Sequence, residues 1–281
     1  MTMKVAAVQM RSGEQIDANV ETMDRLVREA AAAGAGYVQT PEMTGALVRD
    51  RAALKAMIRP EADDPVLARG RSLAKELAIH LHIGSTAIAL PGGKVANRAF
   101  LIAPDGSLVA RYDKIHMFDV DLDGGESWRE SATYEPGRET VVAPLGDMLT
   151  GLAVCYDLRF PQLFRAQALA GASMLTVPAA FTRQTGEAHW HVLIRARAIE
   201  NGAWLVAAAQ GGRHQDGRET FGHSMIVDPW GRIVAEADHD EPGVIVAEID
   251  PAASAAARQK VPNLKNAREF TVAGARQGAA A

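Results

Sequence analysis

The chemistry-bearing residues of this 281-residue chain sit where apolar runs give way to polar ones. Its one cysteine, Cys155, follows the run TGLAV and precedes the polar turn YDLRFPQ. Glu42 closes YVQTPE, and Lys114 closes SLVARYDK. A thiol attacks an amide carbonyl well only after losing its proton, which a carboxylate can accept. The developing oxyanion needs a cation or fixed N–H donors, which an ammonium and a backbone amide supply. No histidine is required. A strand–turn–helix junction at Cys155 would also aim helix N–H groups at the sulfur, which favours thiolate. Each residue has an ordinary alternative: a cysteine packed as a small hydrophobe, a surface glutamate, a solvated lysine.

The elements that must position these residues alternate between two periods. Residues 3–10 read as a strand, and Asp17 as N-cap of a helix with Val20, Met23, Leu26, Val27 and Ala30 on one face. Gly34 and Gly36 end that helix, and 37–42 is a short buried strand. A helix carrying Leu67, Leu73 and Leu77 leads to strand 80–90, then strands 96–103 and 107–114 across Pro-Gly-Gly and Pro-Asp-Gly turns. Residues 119–139 are polar and aperiodic, and a loop of that length in a compact domain usually has a function. Strand 149–155, a helix from Pro161, strand 173–181, helix 188–201, strand 204–210, a hairpin over 223–237 and strand 244–249 complete the pattern. About ten strands, some joined by helices and some by hairpins, point to two mixed sheets with helices outside rather than one doubly wound sheet.

Bulk properties narrow the function. Hydrophobic residues make up 48% and the formal net charge is −4, so a sizeable core is available and no basic stripe marks a nucleic-acid partner. The N-terminus MTMKVAAVQM turns polar too soon for a secretory signal, and no apolar run reaches the roughly 18–20 residues that span a bilayer. One cysteine permits no intrachain disulfide, so the expectation is a soluble cytoplasmic protein. Metal readings fare poorly. His80-x-His82 lacks a further ligand at a familiar spacing, and His189-x-His191 on a helix points its two rings apart. Gly222-His223-Ser224-Met225-Ile226 lacks the closing glycine of a nucleophile elbow.

The blocks YVQTPEM, RYDKIHMF and GLAVCYDLRFPQLFR resemble the three signature segments of the nitrilase, or carbon–nitrogen hydrolase, superfamily, from about residue 3 to about residue 250. HWHVLIRARAIEN, AAAQGGRH and GHSMIVDPWG are similar to the amidase branch that contains deaminated glutathione amidase. The resemblance implies an α/β fold: a four-layer α-β-β-α sandwich with two mixed, six-stranded-type sheets in a single domain over 3–250. Residues 251–281 would then be a C-terminal extension, an assembly arm or flexible tail. It implies a hydrolase of linear amides without cofactor or metal, with Cys155 as nucleophile, Glu42 as general base and Lys114 stabilising the tetrahedral intermediate. The family carries a second glutamate six residues before a Pro-Gly pair. Pro136-Gly137 puts it at Glu130, with Glu126 and Glu135 as neighbouring alternatives.

Substrate contacts are expected from the Tyr156 backbone N–H in the oxyanion hole, and from Phe181, Thr182 and Thr185 after a strand end. His189 and Trp190 are further candidates for the pocket. Arg159 is expected either to pair with a substrate carboxylate or to form a helix-end salt bridge. The substrate class implied is a small carboxylate-bearing amide, like deaminated glutathione, cleaved through a cysteine thioester. An omega-amidase or an N-carbamoyl amidohydrolase is the near alternative, and a catalytically silent binding protein of the same fold is the alternative outside the class. The family usually forms homodimers through helices beside the active site, for which the helix ending in RARAIEN is the candidate.

Overall fold

The computed structural model describes residues 2–125 and 127–274. The first half runs β1 (Met3–Gln9), α1 (Ile16–Ala32), β2 (Tyr37–Gln39), α2 (Arg51–Met57), α3 (Pro65–Leu77), β3 (His80–Ala89), β4 (Val95–Ile102) and β5 (Leu108–Asp113). A small hairpin follows, β6 (Asp119–Asp121) and β7 (Ser127–Arg129). The second half runs β8 (Val141–Leu145), β9 (Met148–Leu152), α4 (Pro161–Leu169), β10 (Met174–Thr176), α5 (Arg183–Asn201), β11 (Trp204–Ala207), β12 (Gly211–Arg213) and β13 (Glu219–Phe221). It closes with β14 (Met225–Val227), β15 (Ile233–Glu236), β16 (Gly243–Ile249) and α6 (Pro251–Lys260).

These strands build two six-stranded mixed sheets, ordered β16-β1-β2-β3-β4-β5 and β15-β14-β11-β10-β9-β8. The apolar stripe of α1 (Met23, Leu26, Val27, Ala30) and that of α3 (Leu67, Leu73, Ala74) pack on Ala6, Val8, Leu81, Ile83 and Phe100 of the first sheet. Its other face (Val5, Ala7, Tyr37, Leu101, Tyr112) shares one core with Leu152, Leu175, Leu205 and Val206 of the second sheet and with Phe164, Trp190 and Ile194 of α4 and α5. The result is the expected α-β-β-α sandwich, because each sheet has two apolar faces to bury.

Several boundaries differ from the sequence reading. β2 stops at Gln39, with Pro41 two residues on, and β10 stops at Thr176, with Pro178 two residues on; proline removes the N–H that would extend a ladder. Glu42 therefore stands in a turn beyond β2, and Cys155, three residues past the end of β9 at Leu152, likewise lies beyond its strand. The N-cap of α1 is Gln15, and Asp17 lies in its first turn. α5 begins at Arg183, five residues early, because TRQTG carries no apolar stripe; its buried Thr185 and Gly186 are accommodated by the Phe221 ring. The aperiodic 119–139 segment is partly ordered as β6, β7 and a 3-10 turn over Glu130–Ala132. α2 went unread in the sequence. After β16, α6 docks on the second sheet's end, with Ser254 buried and Arg258 donating to the Asn201 and Ala172 carbonyls.

Candidate active site

Three turns deliver the site. Glu42 lies in the turn after β2, Lys114 directly after β5, and Cys155 three residues past β9 at the start of a 3-10 turn over Cys155–Arg159. Met43 and Cys155 both take left-handed backbone, with φ of 56° and 48°. Such a conformation costs a non-glycine residue about 1–3 kcal/mol and persists only where the surroundings impose it. Here they do. Asp157 Oδ2 accepts the Val154 N–H at 2.8 Å, and the Cys155 N–H donates to the Pro178 carbonyl at 2.9 Å.

Lys114 is buried and its ammonium is shared between two carboxylates. Nζ donates to Glu42 Oε1 at 2.9 Å and to both oxygens of Glu130, at 2.9 and 2.8 Å. The Asn97 amide spans the same pair, donating to Glu42 Oε1 at 2.9 Å and Glu130 Oε1 at 3.3 Å. The Ala180 N–H fixes Glu42 Oε2 at 2.9 Å, and the Phe118 N–H fixes Glu130 Oε2 at 2.7 Å. The Cys155 thiol lies beside the Glu42 carboxylate and interacts with it. Glu42 thus touches both the ammonium and the thiol.

Charges follow from this geometry. Burial works against ionised Glu42, but Lys114, the thiol and the Ala180 N–H together hold its carboxyl below the ordinary range. Burial likewise opposes charged Lys114, and Glu130 and Glu42 more than compensate, raising it well above an ordinary lysine. Burial and the Glu42 carboxylate push the Cys155 thiol up, with Lys114 only partly offsetting them. The expectation of a dipole-stabilised thiolate is therefore corrected. The site rests as carboxylate, ammonium and neutral thiol, because burial and the Glu42 carboxylate both oppose a thiolate.

Around this cluster lies a pocket of about 290 Å³, whose lining includes Glu42, Lys114, Glu130, Cys155, Tyr156, Phe181, Thr182 and Thr185. Glu135 instead pairs with Lys94 at 3.8 Å, toward solvent, and Glu126 lies outside the described residues. Trp190 belongs to the core and donates to the His223 carbonyl at 2.8 Å. Arg159 does not line the pocket. Its Nη1 sits 3.2 Å from His189 Nδ1, with the guanidinium 5.1 Å from the Phe181 ring centre and 5.8 Å from that of Tyr156. His189 and His191 do part company on α5; His191 Nε2 lies 2.6 Å from Glu236 Oε1, and His223 Nδ1 3.4 Å from the same oxygen.

Sequence reasoning missed Asn97, Tyr134, Trp128 and Arg218, all of which line the pocket. For Asn97 a signal existed: an amide amid the apolar strand VANRAFLI must find partners once buried. Arg218 lies far along the chain, just after a turn, with nothing local to mark it.

The carbon–nitrogen hydrolase sequence model matches residues 4–259. Deaminated glutathione amidase of Synechocystis sp. (strain PCC 6803 / GT-S) is 39% identical over 266 residues, covering 93% of this chain and 96% of that protein. The Homo sapiens protein of the same name is 41% identical, covering 88% of this chain and 76% of its own length. Among solved structures, the C. elegans NitFhit protein superposes with a TM-score of 0.88 at 33% identity, over 95% of this chain and 65% of that one. A mutant of the amidase from Nesterenkonia sp. AN1, which shows covalent addition of the acetamide moiety of fluoroacetamide at its active-site cysteine, superposes with a TM-score of 0.79 at 27% identity, over 95% and 94% of the two chains. With the family's segments on three converging turns and the sequence match running nearly end to end, the chain belongs to the carbon–nitrogen hydrolase family.

Proposed function

We propose that this carbon–nitrogen hydrolase cleaves a small carboxylate-bearing amide through a Cys155 thioester. The observation that carries the reading is Glu42 in contact with both the Cys155 thiol and the Lys114 ammonium, all three at the floor of one pocket. As Cys155 attacks the amide carbonyl, Glu42 takes the thiol proton. Lys114 and the Tyr156 N–H receive the oxyanion; Tyr156 is the second residue of the 3-10 turn, where N–H groups lack intrahelical acceptors. The amine leaves with the proton from Glu42. Water deprotonated by Glu42 then opens the thioester to a carboxylate and restores the thiol. Glu130 holds Lys114 in place. Neither metal nor cofactor enters the scheme.

Phe181, Thr182 and the Tyr156 ring form the pocket wall, with Arg159 behind the two rings. The relatives' names favour a deaminated-glutathione-like amide, with an omega-amide or an N-carbamoyl compound as the near alternative. We assign the enzyme to the cytoplasm as a homodimer. The described helices include none long and apolar enough to cross a membrane, and α5 exposes Val192 and Ile199, an apolar surface that a second copy would cover. Residues 251–281 would extend that assembly.

The test is amine release from a panel of amides by wild type and Cys155→Ala, with iodoacetamide labelling of the wild type. Turnover abolished by the substitution is expected. No turnover of any amide, together with no preferential labelling of Cys155, would favour a catalytically silent binding protein.

A further inference from the structure

Beyond the catalytic cluster, the pocket is richer in cations than its partners require. Lys114 is matched by Glu42 and Glu130, and Arg129 is paired with Asp121 at 2.8 and 2.9 Å. Arg49, Arg51 and Arg218 remain, and of these Arg49 and Arg218 share one aromatic ring. Both guanidiniums lie against the Trp128 ring, 5.0 and 4.4 Å from its centre, and among the described residues Arg49 has no ion pair. Arg218 reaches one carboxylate, Asp216, at 3.4 Å, too long to satisfy it. Its Nε is enclosed and has no acceptor among the described residues.

An enclosed guanidinium with an unused donor is costly, and a second guanidinium on the same indole adds like-charge repulsion. Burial and Arg49 both work against the charge on Arg218, while Asp216 supports it. The fold nevertheless fixes Arg218 beside the reaction centre. It immediately precedes β13, whose Thr220 bridges Thr182 and whose Phe221 N–H donates to the Phe181 carbonyl at 2.9 Å. An anion entering the pocket would supply what is missing, since a carboxylate matches the fork of a guanidinium in two parallel hydrogen bonds.

We propose that Arg218, assisted by Arg49, is an anion subsite that takes a carboxylate of the substrate remote from the scissile amide. The assignment rests on the amide-hydrolase reading above and gives the carboxylate contact to Arg218 rather than Arg159. The Arg159 guanidinium lies outside the pocket lining, facing His189 and the rings of Tyr156 and Phe181.

The experiment compares glutaramate with its neutral isostere 5-oxohexanamide on wild type, Arg218→Met, Arg218→Lys and Arg159→Ala. In parallel, glutarate binding is titrated calorimetrically on Cys155→Ala with and without Arg218→Met. A charge-assisted contact of this kind corresponds to about 10- to 150-fold. Arg218→Met should raise KM for glutaramate within that range, at least ten times more than for 5-oxohexanamide. Glutarate binding should weaken by a similar factor, and Arg218→Lys should fall between. Should Arg218→Met fail to fold, Arg218→Lys carries the same comparison. Equal losses on the two amides, unchanged glutarate binding, or a selective loss appearing in Arg159→Ala instead would overturn the assignment. If wild type cleaves neither amide, the amide-hydrolase reading fails on its own, and glutarate binding still decides the role of Arg218.

Discussion

The Tyr112 hydroxyl donates to Asp157 Oδ2 at 2.7 Å, joining the strand that leads into Lys114 to the turn that begins at Cys155. Asp157 is fully buried and also accepts from the Val154 and His116 N–H groups, at 2.8 and 3.1 Å. One carboxylate therefore fixes the spacing between nucleophile and ammonium across two sheets. Asp157→Asn turns one acceptor oxygen into a donor facing donors. We expect a stability loss of about 2–4 kcal/mol, as for a broken buried network, and a kcat loss of about 100-fold from misplacement. Tyr112→Phe should cost about 1 kcal/mol. Denaturant melts and steady-state kinetics check both; an Asp157→Asn enzyme with wild-type kcat would refute the spacing role.

The pH dependence follows from the resting charges. Glu42 acts as base only when ionised, and its carboxyl is held below the ordinary 4.5. The acid limb of kcat/KM should therefore fall below pH 4.5. The thiol lies above its ordinary 9.0, so no limb from a free thiolate should appear near neutrality. A broad plateau between the two is expected, and a limb centred near pH 7 would contradict the assignment.

Stability adds a separate acid signature. Buried His82 shares a hydrogen bond at Nδ1 with the Tyr37 hydroxyl at 2.8 Å, and burial lowers its pKa from 6.5 to about 3. A depressed value means that the folded state excludes a proton the unfolded state binds. The stabilising contribution is complete above pH 6.5 and is lost as pH falls toward 3. Its slope is at most about 1.4 kcal/mol per pH unit. Urea midpoints of wild type and His82→Gln should converge as pH falls across that window; parallel curves would exclude His82 as the cause.

Gly84 supports the meeting of the two halves. A methyl there would collide with the Thr40 and Pro41 carbonyls and the Pro178 ring. Thr40 and Pro41 lead into Glu42, and Pro178 holds the Cys155 N–H. Gly84→Ala should therefore destabilise by about 1–3 kcal/mol and lower kcat at the same time. Thermal melts with kinetics on the folded fraction test this; lost stability with unchanged kcat would confine Gly84 to packing.

Much of the fold was legible because periodicity reports burial. The α1 stripe and the two-faced strands were read correctly, and alternating helices and hairpins implied two covered sheets. Strand ends were read less well. Pro41 shortens β2 and β9 ends at Leu152, so Glu42 and Cys155 project from turns with left-handed backbone at Met43 and Cys155 rather than from a ladder. α2 and the start of α5 escaped because short helices facing a pocket or a ring need no apolar stripe.

The sequence by itself named the proposed reagents. Glu42, Lys114 and Cys155 follow from residue type and from the breaks in apolar pattern, since chemistry is a property of the side chain and strand ends are local. Only the tertiary structure decided how they act. It put Glu130 rather than Glu135 on Lys114, brought Asn97 between the two carboxylates, and kept the thiol protonated by setting Glu42 against it. It also carried Arg218 into a pocket whose other walls lie up to 176 residues away in the chain, at Glu42. Desolvation and Coulomb interactions depend on distances through space, and chain order does not encode those until the two sheets have packed.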